Sequence, residues 1–263
     1  MMSEHQRPIK IDAAFIPKEV CIAHNPICIL IDAVRASCTI ATFFEKGARE
    51  MMLIEDENAY VEAHKASMLP DDCICAENLD GSCAPLAEVS PSLEDIHSFD
   101  TYQGRRVFFR TTNGTIGVRK LGAMHVREIL IGSMINCDAV AKAAVDMAME
   151  KGMNICTVCA GREHGEIYCI DDTYCAGVLI ERMEAYANSI GCPVDIQDSG
   201  KIARAVVANY TGDEEAYCAS ASGEIMRRIH KEIDLHLCSR RNVTQVVPRV
   251  SQIDDEGSVI LTI

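Results

Sequence analysis

The sequence predicts an α/β protein, a three-layer sandwich around a mostly parallel sheet built from repeated β–α units. Apolar runs of strand length alternate with runs of helix length, and the alternation persists past the midpoint of the 263 residues. The strand-length runs are apolar at successive positions, as in residues 27–31 (Ile-Cys-Ile-Leu-Ile), which is the pattern of strands buried on both faces. No break in composition divides the chain, so one domain over residues 1–263 is expected, with two successive β–α–β halves leaving open a structural duplication.

In order, residues 9–15 read as a first strand and residues 17–26, with two prolines, as a connector. Residues 27–31 form the second strand, ending at Asp32, and residues 36–45 a helix closed by Gly47. Residues 51–54 and 56–68 repeat the unit, with Asp56 as helix N-cap, and residues 73–76 make another short strand. Residues 77–97 are rich in Gly, Ser and Pro and weakly periodic; a segment of that length in a compact domain is predicted to wall a site. Residues 107–109 are β-branched or aromatic and suit a buried strand, after which Asn113-Gly114 turns the chain into a helix over residues 116–121. A strand at residues 126–131, a helix at 136–150, a strand at 153–160 and a loop at 161–170 follow. Asp171-Asp172 open a helix running to about Ile190, residues 193–200 break the chain, and residues 201–237 read as helical. Residues 245–250 and 258–263 look like closing strands.

Lys and Arg total 25 against 39 Asp and Glu, and the formal net charge of −14 argues against nucleic acid or an anionic membrane surface as partner. A small anionic substrate is compatible with it if local arginines or a metal ion reverse the field inside a site. The first residues are polar and lack an apolar signal core, and no apolar run is long enough to span a bilayer, so a cytoplasmic protein is expected. The fourteen cysteines are expected to be reduced thiols packed as small hydrophobes. Cys156 and Cys159 have redox or zinc spacing, but on a strand positions i and i+3 face opposite ways, and Cys73 and Cys75 have no second pair. The apolar, cysteine-rich composition is compatible with a homo-oligomer.

In an open α/β sheet, ligands bind beyond the carboxyl ends of the strands, so the polar residues ending apolar runs are the ones to collect. Asp32 with Arg35, Glu77, Arg110 to Thr115, and Gly161 with Asp171 and Asp172 stand at four such ends. Carboxylates from separate strand ends suit Mg²⁺, which takes one or two of them and fills its octahedron with water and substrate oxygens. At Arg110, Thr111, Thr112, Asn113, Gly114 and Thr115, hydroxyls, backbone N–H groups and the following helix N-terminus make a cradle for phosphate, although Asn-Gly is equally a hairpin signal. Asp32 equally suits a helix cap and Arg35 a partner for it; Asp171 or Asp172 is a capping candidate, as is Asn136. Glu77 has no helix to cap, and His164 reads as a loop histidine within reach of acid–base work.

Four of these stretches together resemble the 2-phosphosulfolactate phosphatases: Ile29-Leu30-Ile31-Asp32-Ala33-Val34-Arg35-Ala36-Ser37, Thr111-Thr112-Asn113-Gly114-Thr115, Gly132-Ser133-Met134-Ile135-Asn136-Cys137-Asp138-Ala139-Val140-Ala141, and Cys159-Ala160-Gly161 followed by Ile170-Asp171-Asp172. The order matches, and the resemblance spans about residues 9–250. It implies an α/β fold of its own and a Mg²⁺-dependent acid phosphatase that cleaves 2-phospho-3-sulfolactate to sulfolactate and phosphate, a step towards coenzyme M. It further implies Asp32, Glu77 and Asp172 as metal ligands, Asp32 and Arg35 as catalytic, and Arg35 with Thr111 to Gly114 as anion binders. The strand-end reading adds Arg110, Thr115 and Gly161 to the phosphate site. The chain departs from the family pattern at Asn78, where the family has arginine, and at Val89, where it has asparagine; Arg110 or Arg162 would supply the missing guanidinium. Another small phosphate ester as substrate, or a silent anion binder that keeps the cradle, are the alternatives.

Overall fold

The computed structural model describes residues 7–54, 71–253 and 259–263. The central strand is β2 (Pro26–Ile31), whose six residues are all buried. Ile27, Ile29 and Ile31 enter one core and Cys28 and Leu30 the other, so a strand with a core on each face has no position left for a polar residue. Around it lie β1 (Ile9–Ala14), β6 (Ile129–Ile131), β7 (Asn154–Cys159) and β8 (Val194–Ile196), in the order β6-β2-β7-β1-β8 and all parallel. A second parallel block contains β4 (Cys73–Ala76), β5 (Arg106–Arg110) and β3 (Glu50–Leu53), in that order.

The hairpin of β9 (Arg249–Ile253) and β10 (Val259–Thr262) joins the blocks into one ten-stranded sheet, with β10 on β3 and β9 on β6. Six pairings are parallel and three antiparallel, so the sheet is mostly parallel as predicted. The three antiparallel pairings lie in a row and reverse the strand direction between the blocks.

On one face pack α4 (Cys137–Lys151) and α5 (Ile170–Ser189), through Val140, Ala144, Val178 and Leu179. Between the other face of the five-strand block and the three-strand block lie α1 (Ala36–Glu45) and α3 (Gly114–Ala123), through Phe43, Phe44, Val118 and Leu121. Helices on both sides of the sheet give the three layers.

The strand and helix at residues 73–76 and 36–45 have the predicted bounds. The predicted loop at 77–97 contains a short helix, α2 (Leu93–His97), capped by the Ser92 hydroxyl. The predicted break at 193–200 hides β8, a three-residue edge strand too short to show a period. The single helical stretch at 201–237 is four helices, α6 (Asp198–Ala208), α7 (Asp213–Cys218), α8 (Ala221–Arg228) and α9 (Ile233–Ser239). Gly212 and Ser220 stop it as N-caps, and His230 turns it at φ 57°. The first closing strand lies at 249–253 rather than 245–250; the Val246 carbonyl is taken by the Asn136 side chain, and pairing with β6 begins only at the Pro248 carbonyl, which accepts the Ile131 N–H. The predicted helix at 56–68 with its Asp56 cap lies outside the described residues.

All fourteen cysteines are free and eleven are buried. Cys156 and Cys159 fall in different cores on opposite faces of β7, as a strand requires. Among the described residues no helix is long and apolar enough to cross a membrane.

Phe43 is fully buried and meets Tyr102 edge-on with ring centroids 4.7 Å apart. Phe43→Ala is expected to lower the unfolding free energy by about 3–5 kcal/mol, read from the urea midpoint; a loss under about 1 kcal/mol would show that this core repacks freely.

Candidate functional site

The ends of β2, β4, β5 and β7 meet at one place. The carboxylate of Asp32, just past β2, accepts the backbone N–H groups of Ala36 and Gly114, the first residues of α1 and α3. Two helix N-termini therefore point at one carboxylate, each favourable to negative charge by about 0.3–1 kcal/mol. The N-cap positions themselves are held by Arg35 and Asn113, so Asp32 faces both helix ends from outside the cap position. Gly114 is glycine because a Cβ there would lie 2.9 Å from Asp32 Oδ2 and 2.9 Å from Ala36 Cβ. The positive end of the predicted phosphate cradle thus faces Asp32.

The cradle's other groups form a tight knot. Thr111 and Thr115 bond reciprocally, N–H to hydroxyl, at 3.2 and 3.4 Å, and both are buried. Thr112 gives its N–H and hydroxyl to Glu77 Oε1 at 3.0 and 3.2 Å, which ties β5 to the segment after β4. Asn113 Nδ2 donates to the Thr112 hydroxyl, and its Oδ1 accepts the N–H of His164 from the loop after β7. Arg110 is half-buried at the end of β5, where its carbonyl accepts the Glu77 N–H.

Arg35 is buried and does not pair with Asp32. Its Nη1 donates to Asp234 Oδ2 at 3.2 Å, and its Nη2 to Glu77 Oε2 at 3.0 Å and the Gly81 carbonyl at 2.7 Å. Asp234, on α9, is fully buried, and its other oxygen accepts from Ser92 and the Glu94 N–H. Nothing in the sequence identifies Asp234 as the partner of Arg35.

Asp172 does not cap its own helix. From the first turn of α5 its Oδ1 accepts the Ala33 N–H at 2.8 Å and its Oδ2 the Gly161 N–H at 2.9 Å, which staples the ends of β2 and β7 together. Gly161 itself sits at φ +69°, with space for a Cβ closed by the Ile167 carbonyl at 2.6 Å. Asp171 is buried beside the Ser220 and Ser222 hydroxyls, and its Oδ1 has no hydrogen-bond partner. Asn136 is a buried latch that bonds Ser133 and the Ile131 and Val246 carbonyls.

The site is thick with carboxylates. Burial, then the charges of Glu77 and Asp171, push the Asp32 carboxyl up to about 7 against the two helix N–H groups. Burial, then Asp171 and Asp32, hold Asp172 well above the usual carboxylate range. Burial also raises Asp234, with Arg35 opposing it. Among the described residues no group of three or more His, Cys, Asp or Glu is placed to hold a metal ion between them. The donor chemistry nevertheless fits a hard divalent cation, which needs only one or two carboxylates and relieves repulsion of the kind Asp32, Asp171 and Asp172 exert on one another.

The two departures have physical explanations. Val89 packs in the core and bridges Cys75. Asn78 spends its amide on the Ser82 hydroxyl and the Cys83 carbonyl, shaping the turn whose Gly81 carbonyl receives Arg35.

A family model described as 2-phosphosulpholactate phosphatase matches residues 14–252. A protein of Deinococcus radiodurans named "Probable 2-phosphosulfolactate phosphatase" is 28% identical over 234 residues, covering 89% of this chain and 91% of that protein. Proteins with the same name from Thermus thermophilus (28% identical, 86% and 89% covered) and Symbiobacterium thermophilum (26% identical, 89% and 94% covered) are similar over the same extent.

Arg35→Met leaves the buried Asp234 and the half-buried Glu77 without their cation. It is expected to cost about 3–5 kcal/mol in urea unfolding, with partial recovery in Arg35→Met/Asp234→Asn; equal stability of Arg35→Met and wild type would remove the guanidinium from its supporting role. A second expectation concerns pH. The folded state holds the Asp32 proton more tightly than the unfolded chain, whose carboxyl titrates at about 4. The stability this proton confers is complete below about pH 4 and lost as pH rises to about 7. In divalent-free buffer the thermal midpoint of wild type relative to Asp32→Asn should fall across that window and level off above it; a pH-independent difference would contradict the assignment.

Proposed function

Since this chain belongs to the 2-phosphosulpholactate phosphatase family, whose members are phosphoric monoester hydrolases, we propose that it hydrolyses 2-phospho-3-sulfolactate to sulfolactate and phosphate. The observation that carries the reading is the convergence of Asp32, Glu77, Thr112, Asn113 and Asp172 from four strand ends at a single place. Relatives of the same printed name, matched over most of both chains, support the substrate.

In this reading a Mg²⁺ ion, held by Asp32 with Glu77 and Asp172 beside it, would neutralise phosphoryl oxygens. The chain's own groups do the rest. Asp32, fixed by the Ala36 and Gly114 N–H groups, orients the attacking water by accepting its hydrogen bond on the face opposite the leaving group. The water oxygen bonds to phosphorus, the bond from phosphorus to the ester oxygen breaks, and one water proton ends on the leaving alcohol. Thr112 and Asn113 line the approach with hydroxyl and amide groups that orient the phosphate. Arg35 acts through Glu77, which it fixes. The Thr111–Thr115 pair keeps the turn rigid, and Arg110 adds positive charge at the same strand end. A cytoplasmic setting suits the free thiols.

Phosphate release from 2-phospho-3-sulfolactate, with and without Mg²⁺ and beside several other small phosphate esters, tests the proposal. Metal-dependent release with strong preference for the sulfonate ester is expected, and Asp32→Asn should lower kcat by about 10²–10⁴-fold in a folded protein. Release from other esters alone reassigns the substrate, and release from none leaves an anion binder.

A further inference from the structure

The arginines near the site differ in one respect. Arg35 is saturated by two carboxylates and a carbonyl, and Arg110 is itself engaged within the fold. Arg162, which follows Gly161 at the end of β7, is not. It is half-buried, its Nε–H is buried without a hydrogen-bond partner, and its guanidinium makes no ion pair among the described residues. The nearby Glu166 is taken by Lys18 and Lys120.

Its backbone is firmly placed. The Gly161 N–H is fixed to Asp172 at 2.9 Å and the His164 N–H to Asn113 at 3.3 Å, so Arg162 lies between two anchors that both belong to the site. Its own N–H donates to the Ile167 carbonyl at 2.8 Å, and its carbonyl accepts from Gly165, Glu166 and Ile167. A closed turn beside a carboxylate-rich site therefore carries a guanidinium whose Nε–H has no partner. A buried N–H that has given up water without gaining a partner is stabilised by whatever acceptor completes it, and a planar fork of donors fits a sulfonate or carboxylate.

We propose that Arg162 binds the second anionic group of the substrate, its sulfonate or carboxylate, while the phosphate lies by Asp32 and Thr112. The proposal rests on the phosphatase reading above. It also accounts for how the site manages without a guanidinium at Asn78, whose side chain is turned into its own loop.

Steady-state kinetics of wild type, Arg162→Met and Arg162→Lys on 2-phosphosulfolactate, 2-phospholactate and phenyl phosphate test it, with thermal midpoints confirming that the variants are folded. In Arg162→Met the preference for 2-phosphosulfolactate over phenyl phosphate, as a ratio of kcat/KM, should fall at least tenfold, mainly through KM, with Arg162→Lys intermediate. A matching fall for 2-phospholactate identifies the carboxylate as the group bound; no fall there identifies the sulfonate. An unchanged preference, or equal losses on all three esters, overturns the proposal. If wild type releases phosphate from none of them, calorimetry with sulfolactate separates the two readings. Binding by wild type and its loss in Arg162→Met upholds Arg162 while the phosphatase reading fails, and equal binding or none overturns Arg162 as well.

Discussion

One buried guanidinium holds together parts of the chain that the sequence keeps far apart. Through Asp234, Glu77 and Gly81, Arg35 fastens the β2–α1 turn to α9 and to the segment after β4, and Asp234 extends the link to Ser92 and Glu94 at the start of α2. Because Glu77 also receives Thr112, the chain of bonds runs on into the β5–α3 turn. A charge this deep is tolerated only when fully paired and hydrogen-bonded, so the geometry of all four segments is set by the need to satisfy it. The second staple, Asp172, does the same for the ends of β2 and β7 with a carboxylate and two N–H groups.

These two fastenings explain why the site is both acidic and rigid. Asp32 is the carboxylate that two helix N-termini face, and the crowding of Glu77, Asp171 and Asp172 around it raises the free energy of its charged form. An anionic ester would enter such a place only with help from positive charge, and in the proposed reading a cation and Arg162 would divide that task. One would face the phosphoryl group and the other the far end of the molecule.

Much of this was legible beforehand, for a physical reason. Strands buried on both faces are mostly apolar, so residues 27–31 and 153–160 announce themselves, and the polar residues that end them stand out by contrast. That contrast led to Asp32, Glu77, Thr111 to Gly114, Gly161 and Asp172, which the fold gathers at one place. Partnership was not legible, because it depends on contacts across long separations in the sequence. Asp234 reads as a polar residue in a helix, and only the fold shows it 199 residues from the arginine it neutralises. Asp171 and Asp172 look alike in sequence, yet one is saturated by N–H groups and the other keeps a bare oxygen. The run at 201–237 misled for the opposite reason, since its helical composition is uniform while its breaks rest on single residues such as Gly212 and Ser220.

The hairpin of β9 and β10 occupies the middle of the sheet although it comes from residues 249–262. During synthesis both parallel blocks emerge first, each with a raw edge, β3 on one and β6 on the other. Until the hairpin arrives, two open ladders wait for strands, the exposed backbone on which neighbouring nascent chains stick to one another. The strands that follow both blocks in the chain are thus the ones that seal the interior seam between them.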